Sequence, residues 1–90
     1  MKVYELRVDW ATNDAEACVT TLYATEEKAK NDFHKEVEQA KQDYTHAFDE
    51  DGNVADGWCL EEHNDYWEIY EAGYYVSEHC TITIDEKEVL

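Results

Sequence analysis

Between Thr25 and Tyr44 the apolar residues Ala29, Phe33, Val37, Ala40 and Tyr44 recur every three or four positions. That spacing lays one apolar stripe along a helix and leaves the opposite side to Glu, Lys and Gln. Thr25 is placed to cap the first turn, and Glu26 and Glu27 suit the positive end of the helix dipole. A helix over residues 26 to 44 is about 28 Å long, enough to cover a small sheet. It needs something apolar to lie on, and the flanking segments supply a different period.

Residues 2 to 10 alternate, with Tyr4, Leu6, Val8 and Trp10 on one side and Glu5, Arg7 and Asp9 on the other, as in a half-buried strand. "TNDA" at 12 to 15 is turn chemistry, and "EACVTTLYA" at 16 to 24 is rich in strand formers that can pair back as a hairpin. Its alternation is blurred and leaves its core face open. "HAFDEDGNVADG" at 46 to 57 reads as a loop with turns at Asp51-Gly52 and Asp56-Gly57. "WCLEEH" and "DYWEIYE" read as strand segments around the polar break His63-Asn64-Asp65, and Ala72-Gly73 fits another turn. In "YVSEHCTITIDEKEV" the residues Val76, Cys80, Ile82 and Ile84 alternate against Ser77, His79, Thr81, Thr83 and Asp85. The expectation is one α+β domain over residues 1–90: an antiparallel sheet of four or five strands with one amphipathic helix packed on one face, ββαββ-like. Strand order and the path of residues 57 to 79 stay open.

A hydrophobic content of 43% with 13% aromatic residues is too rich for disorder, although a net charge of −16 pulls the other way. The two are reconciled by a small core inside a heavily charged skin. "MKVYELRVDW" has no long apolar run, so neither a secretion signal nor a membrane span is expected. Three cysteines, at 18, 59 and 80 with no CxxC, read as free thiols in a reducing cytoplasm.

Motif tests point away from catalysis and cofactors. In "DEDGN" the oxygens of Asp49, Asp51 and Asn53 alternate as in a calcium loop, but Val54 stands where such a loop needs glycine and Leu60 where it needs glutamate. A solvated acidic turn is the simpler reading. Cys59, His63, His79 and Cys80 have the chemistry of a zinc site, yet His79 and Cys80 are adjacent on a strand and leave opposite faces. No nucleophile–base motif and no phosphate-binding glycine loop is present. The expectation is a non-enzyme with no metal and no cofactor.

The remaining signal is charge. Residues 42 to 86 hold thirteen acids and no lysine or arginine, together with two tryptophans and five tyrosines. Direct contact with nucleic acid or an anionic membrane is disfavoured, and a basic partner is favoured. Charge this far above what solubility needs destabilises a small domain and calls for a reason. Compact-globule scaling gives a diameter of about 30 Å. Over that length the net charge amounts to about one per 2 Å, near the one per ~1.7 Å of duplex DNA. The candidate partner-binding residues are Asp49, Glu50, Asp51, Glu61, Glu62, Asp65, Tyr66, Glu68, Tyr70, Glu71 and Tyr75, the tyrosines as anchors and the carboxylates as partners for Arg and Lys.

In size, in its acid-rich second half and in a sheet-plus-helix outline with "WEIYEAGYYVSEH" near the end, the chain resembles small acidic α+β proteins of phages and mobile elements, the anti-CRISPR and anti-restriction proteins. The resemblance implies a stoichiometric inhibitor that occupies the basic groove of a bacterial defence nuclease such as a CRISPR effector. The carboxylates from Asp49 to Glu71 would then pair with Lys and Arg that normally bind phosphate. The second reading is a small acidic accessory domain, self-associating as a homodimer through its aromatic face.

Overall fold

The computed structural model describes residues 1–12, 15–72 and 78–89. Strands β1 (Lys2–Ala11) and β2 (Glu16–Tyr23) form a hairpin, helix α1 (Glu26–Asp43) follows, and a single helical turn at Thr45–Ala47 leads to β3 (Trp58–Glu62), β4 (Tyr66–Glu71) and β5 (His79–Glu88). All neighbours are antiparallel, in the order β2-β1-β5-β4-β3. This is the expected α+β arrangement with five strands and one helix. The last strand enters the middle of the sheet, between β1 and β4, and α1 carries the chain from one edge strand to the other.

The helix forms where its stripe predicts. Thr25 is the N-cap, its hydroxyl accepting the Lys28 N–H at 3.3 Å, and Tyr44 closes the C-terminal end with its N–H on the Ala40 carbonyl. Ala29, Phe33, Val37, Ala40 and Tyr44 are all buried. They meet Leu6 from β1, Trp67 and Ile69 from β4, and Cys80 and Ile82 from β5. Tyr44 adds a polar stitch: its hydroxyl donates toward the Ala11 carbonyl at 3.1 Å and the His79 carbonyl at 2.8 Å, joining the ends of β1 and β5.

β2 explains its own blurred pattern. It is an edge strand, α1 packs mainly over β1 and β5, and most β2 side chains are exposed on both faces. With neither face sealed, nothing demands strict alternation. Gly73 of the predicted Ala72-Gly73 turn, the start of the last strand at Val76 and Ser77, and Tyr75 lie outside the described residues, as do Asn13 and Asp14. The molecule is flat and long, 45 × 26 × 17 Å, rather than a 30 Å globule.

Candidate partner-binding surface

One face of the sheet carries α1; the other has no helix among the described residues. On that open face strand register sets side chains in rows. Cys18, Asp9, Thr81, Glu68 and Glu61 lie opposite one another from β2 across to β3, and Glu16, Ala11, His79, Tyr70 and Cys59 form the next row. Successive strand residues alternate faces, so Tyr66 and Tyr70 flank Glu68 on the same side.

Cations are confined to one part of this face. Glu5 is buried there, with Lys87 Nζ at 2.8 Å and an Arg7 guanidinium nitrogen at 3.4 Å. The Lys87 hydrogen bond holds the Glu5 carboxyl below the usual carboxylate range against the opposing effect of burial. On the β3–β4 part of this face, among the described residues, no lysine or arginine pairs with an acid. There Glu61 and Glu68 face each other directly across the ladder. Glu68 takes a hydrogen bond from Thr81 Oγ1 at 2.8 Å, and His63 stands 4.0 Å from Glu61. Burial first, and the hydrogen bond to Glu68 second, push the Tyr66 phenol up to about 12. Tyr70 is also raised, chiefly by its hydrogen bond with its cross-strand neighbour Cys59.

The structure divides the acids that the sequence grouped. Glu61, Tyr66, Glu68 and Tyr70 come together on the open face. Glu62 and Glu71 point to the helix side, opposite Trp67 and Trp58, because each is one residue out of phase with Glu61 or two ladder steps from Glu68 plus one. Glu62 there lies 3.8 Å from Lys41 of α1. Asp65 sits in the β3–β4 turn, beside a hollow shared with Lys30 and Glu26, and its carbonyl accepts the Ile84 N–H at 2.9 Å.

Asp49, Glu50 and Asp51 form a turn past the C-terminal end of α1. Asp49 Oδ1 accepts the N–H groups of Asp51 and Asn53, each at 2.9 Å, and Gly52 takes the positive φ of 84° that the turn requires. The Asp49 carboxylate is thus spent on its own backbone. The acids therefore surround the β3 edge on both faces and do not form one continuous patch.

Two contributors were missed in the sequence: Asp9, with His79 at 3.6 Å, and Thr81. Both belong to the row that ends in Glu68 and Glu61 or to its neighbour. Their alternation was visible, but their placement depends on β5 lying between β1 and β4. Among the described residues no group of three or more His, Cys, Asp or Glu is arranged to hold a metal ion. All three cysteines are free, and burial pushes the Cys80 thiol up to about 12. No helix among the described residues is long and apolar enough to cross a membrane.

These features define a five-stranded antiparallel α+β sheet with one helix-covered face and one open face that is acidic toward β3. Searches of protein-family models, curated proteins and solved structures returned no match to this chain.

Proposed function

We propose that this chain is a non-enzymatic inhibitor that docks the open face of β3 and β4 on a basic surface that otherwise holds nucleic acid. The partner class is a nuclease with a cationic duplex channel, as in guide-RNA-dependent defence enzymes. One observation carries the reading: Glu61 and Glu68 are directly opposed without a lysine or arginine, and Tyr66 and Tyr70 flank them. Like charges directly opposite on a sheet destabilise it, so a face shaped by stability alone would not hold this pair. Facing arginines or lysines, the pair gains two attractive contacts, and the phenols supply rigid apolar anchors.

Charge alone is a smaller lever than a spherical body would give. Sixteen net charges along 45 Å come to about one per 2.8 Å, against one per ~1.7 Å of duplex DNA. The tyrosines and the local β3–β4 cluster must supply the rest of the binding. Self-association through the aromatic face is disfavoured on the same geometry, because stacking two copies face to face would bring four uncompensated carboxylates together.

The test is displacement of labelled target duplex from a purified, guide-loaded nuclease. Displacement is expected at low salt, weakening at least tenfold between about 50 and about 200 mM salt. Glu61→Lys with Glu68→Lys should abolish it, whereas Glu27→Lys on the helix should change it little. Full displacement by the double variant would show the proposal to be wrong.

A further inference from the structure

β2 is the outermost strand on its side of the sheet, and among the described residues nothing pairs with its free edge. Its central six residues, Ala17 to Leu22, carry no charge and no proline in a chain that is 33% charged. Edge strands are normally guarded by lysine, proline, bulges or shortness. The opposite edge follows that rule: β3 has five residues and ends in Glu61 and Glu62. β2 has eight and lacks every guard. Val19 is 55% exposed and Leu22 62% exposed, one on each face of the strand, so an added strand would cover an apolar side chain on both sides.

The hairpin fixes which backbone groups point outward. Thr12 N–H donates to the Ala15 carbonyl at 2.7 Å, so that position of the ladder is a bonded one. Bonded positions alternate in antiparallel ladders. Trp10–Ala17, Val8–Val19 and Leu6–Thr21 are therefore bonded pairs, and the N–H and C=O groups of Glu16, Cys18, Thr20 and Leu22 face away from β1.

We propose that two copies of this chain pair antiparallel through β2, giving a continuous ten-stranded sheet with both helices on the same side. The edge is self-complementary. In either register that pairs all the outward groups, centred on Val19 or on Thr20, Glu16 faces Leu22 or Ala24 of the copy and meets no carboxylate. For a body of net charge −16, this uncharged strand is where a second copy approaches at least electrostatic cost. The remaining repulsion is long-range, so dimerisation strengthens as salt rises. Partner docking through β3 and β4 has the opposite salt dependence, and the two interactions use opposite edges of the sheet.

The experiment is sedimentation equilibrium of the whole chain over a concentration series at low and high salt, with Thr20→Pro and Thr20→Lys alongside. Thr20→Pro removes an outward N–H that the β1 ladder does not use, and proline is tolerated at such edge positions. The expected result is a mass rising with concentration from 10.6 kDa toward twice that value, further at high salt. Both variants should stay monomeric with unchanged circular dichroism. If proline disturbs the fold, the lysine variant decides. A wild-type chain that stays monomeric throughout overturns the proposal, as does a dimer that weakens with salt or one that survives both substitutions. Monomeric variants should still displace duplex in the nuclease assay, which keeps the two proposals separable.

Discussion

Replacing Glu61 by glutamine removes one of two carboxylates that oppose each other across the β3–β4 ladder. Cross-strand pairs contribute about 0.2 to 1 kcal/mol, with like charges on the unfavourable side. Glu61 is 56% exposed, and Glu68 is partly compensated by the Thr81 hydroxyl, so the middle of that range applies, about 0.5 kcal/mol. For a domain of this size that is a rise in Tm of about 2 to 4 °C. The assay is thermal unfolding followed by circular dichroism at low salt and at about 1 M, where the Debye length of about 3 Å screens the pair. Any acid removed from a chain of net charge −16 relieves general repulsion, so Glu50→Gln in the exposed turn is the reference. The excess of Glu61→Gln over Glu50→Gln isolates the pair, and it should vanish at high salt. An excess of zero, or one that persists at 1 M, refutes the account of the face. In the nuclease assay the same substitution should weaken displacement. Opposite effects on stability and binding mark a residue kept for its contact.

Tyr44→Phe removes the hydroxyl shared between the Ala11 and His79 carbonyls and should cost about 1 to 3 kcal/mol, seen as a lower urea midpoint at unchanged slope. Tyr23, Tyr44 and Tyr66 have phenols pushed up to about 12, Tyr23 mainly by its hydrogen bond to Asp32 and the other two mainly by burial. In the unfolded chain they ionise near 10, so their neutral forms favour the native state, fully below about pH 10 and less as pH rises toward 12. Denaturant titrations across that window should show falling stability, with a shallower fall in Tyr44→Phe. Lys87→Met strips Glu5 of its main partner. The stability that the depressed Glu5 carboxyl contributes above the ordinary carboxylate range, and loses on acidification, should shrink, flattening the acid limb of the pH profile. Trp67→Phe removes a buried indole N–H that has no hydrogen-bond partner among the described residues, so the change should cost less than about 1.5 kcal/mol, against about 3 to 5 for Trp67→Ala.

The helix was legible because its instructions are local: a cap at Thr25, acids in the first turn, and a stripe that needs only 3.6-residue spacing to line up. β1 was legible for the same reason, since Tyr4, Leu6, Val8 and Trp10 alternate strictly above a covered face. The candidate site follows a different logic. Its row runs Asp9, Thr81, Glu68, Glu61 and draws one residue from each of four strands separated by up to 72 positions, a pairing that no local pattern encodes. Counting acids pointed to the second half of the chain and set Glu62 beside Glu61, while a period of two sends them to opposite faces. The linear charge density was overstated for a related reason: a five-stranded sheet under one helix spreads into a slab, where globule scaling assumes a sphere.

What marks Glu61 and Glu68 is therefore their direct opposition across the ladder with no lysine or arginine beside them, more than the number of carboxylates in the chain. Several acids elsewhere do have a cation beside them: Lys30 at Glu26, Lys2 at Glu86, Lys87 and Arg7 at Glu5. On the open face at Glu61 and Glu68 the fold brings a threonine, two tyrosines and a histidine, with no lysine or arginine. A chain with seven basic residues had the means to neutralise this pair by placing one of them at Thr81, directly opposite Glu68. Thr81→Lys is accordingly the most economical test of purpose. It should raise Tm by pairing with Glu68 and leave the helix-covered core untouched, while displacement of duplex from the nuclease falls; a variant that is more stable and equally inhibitory would show that the bare carboxylates serve no partner.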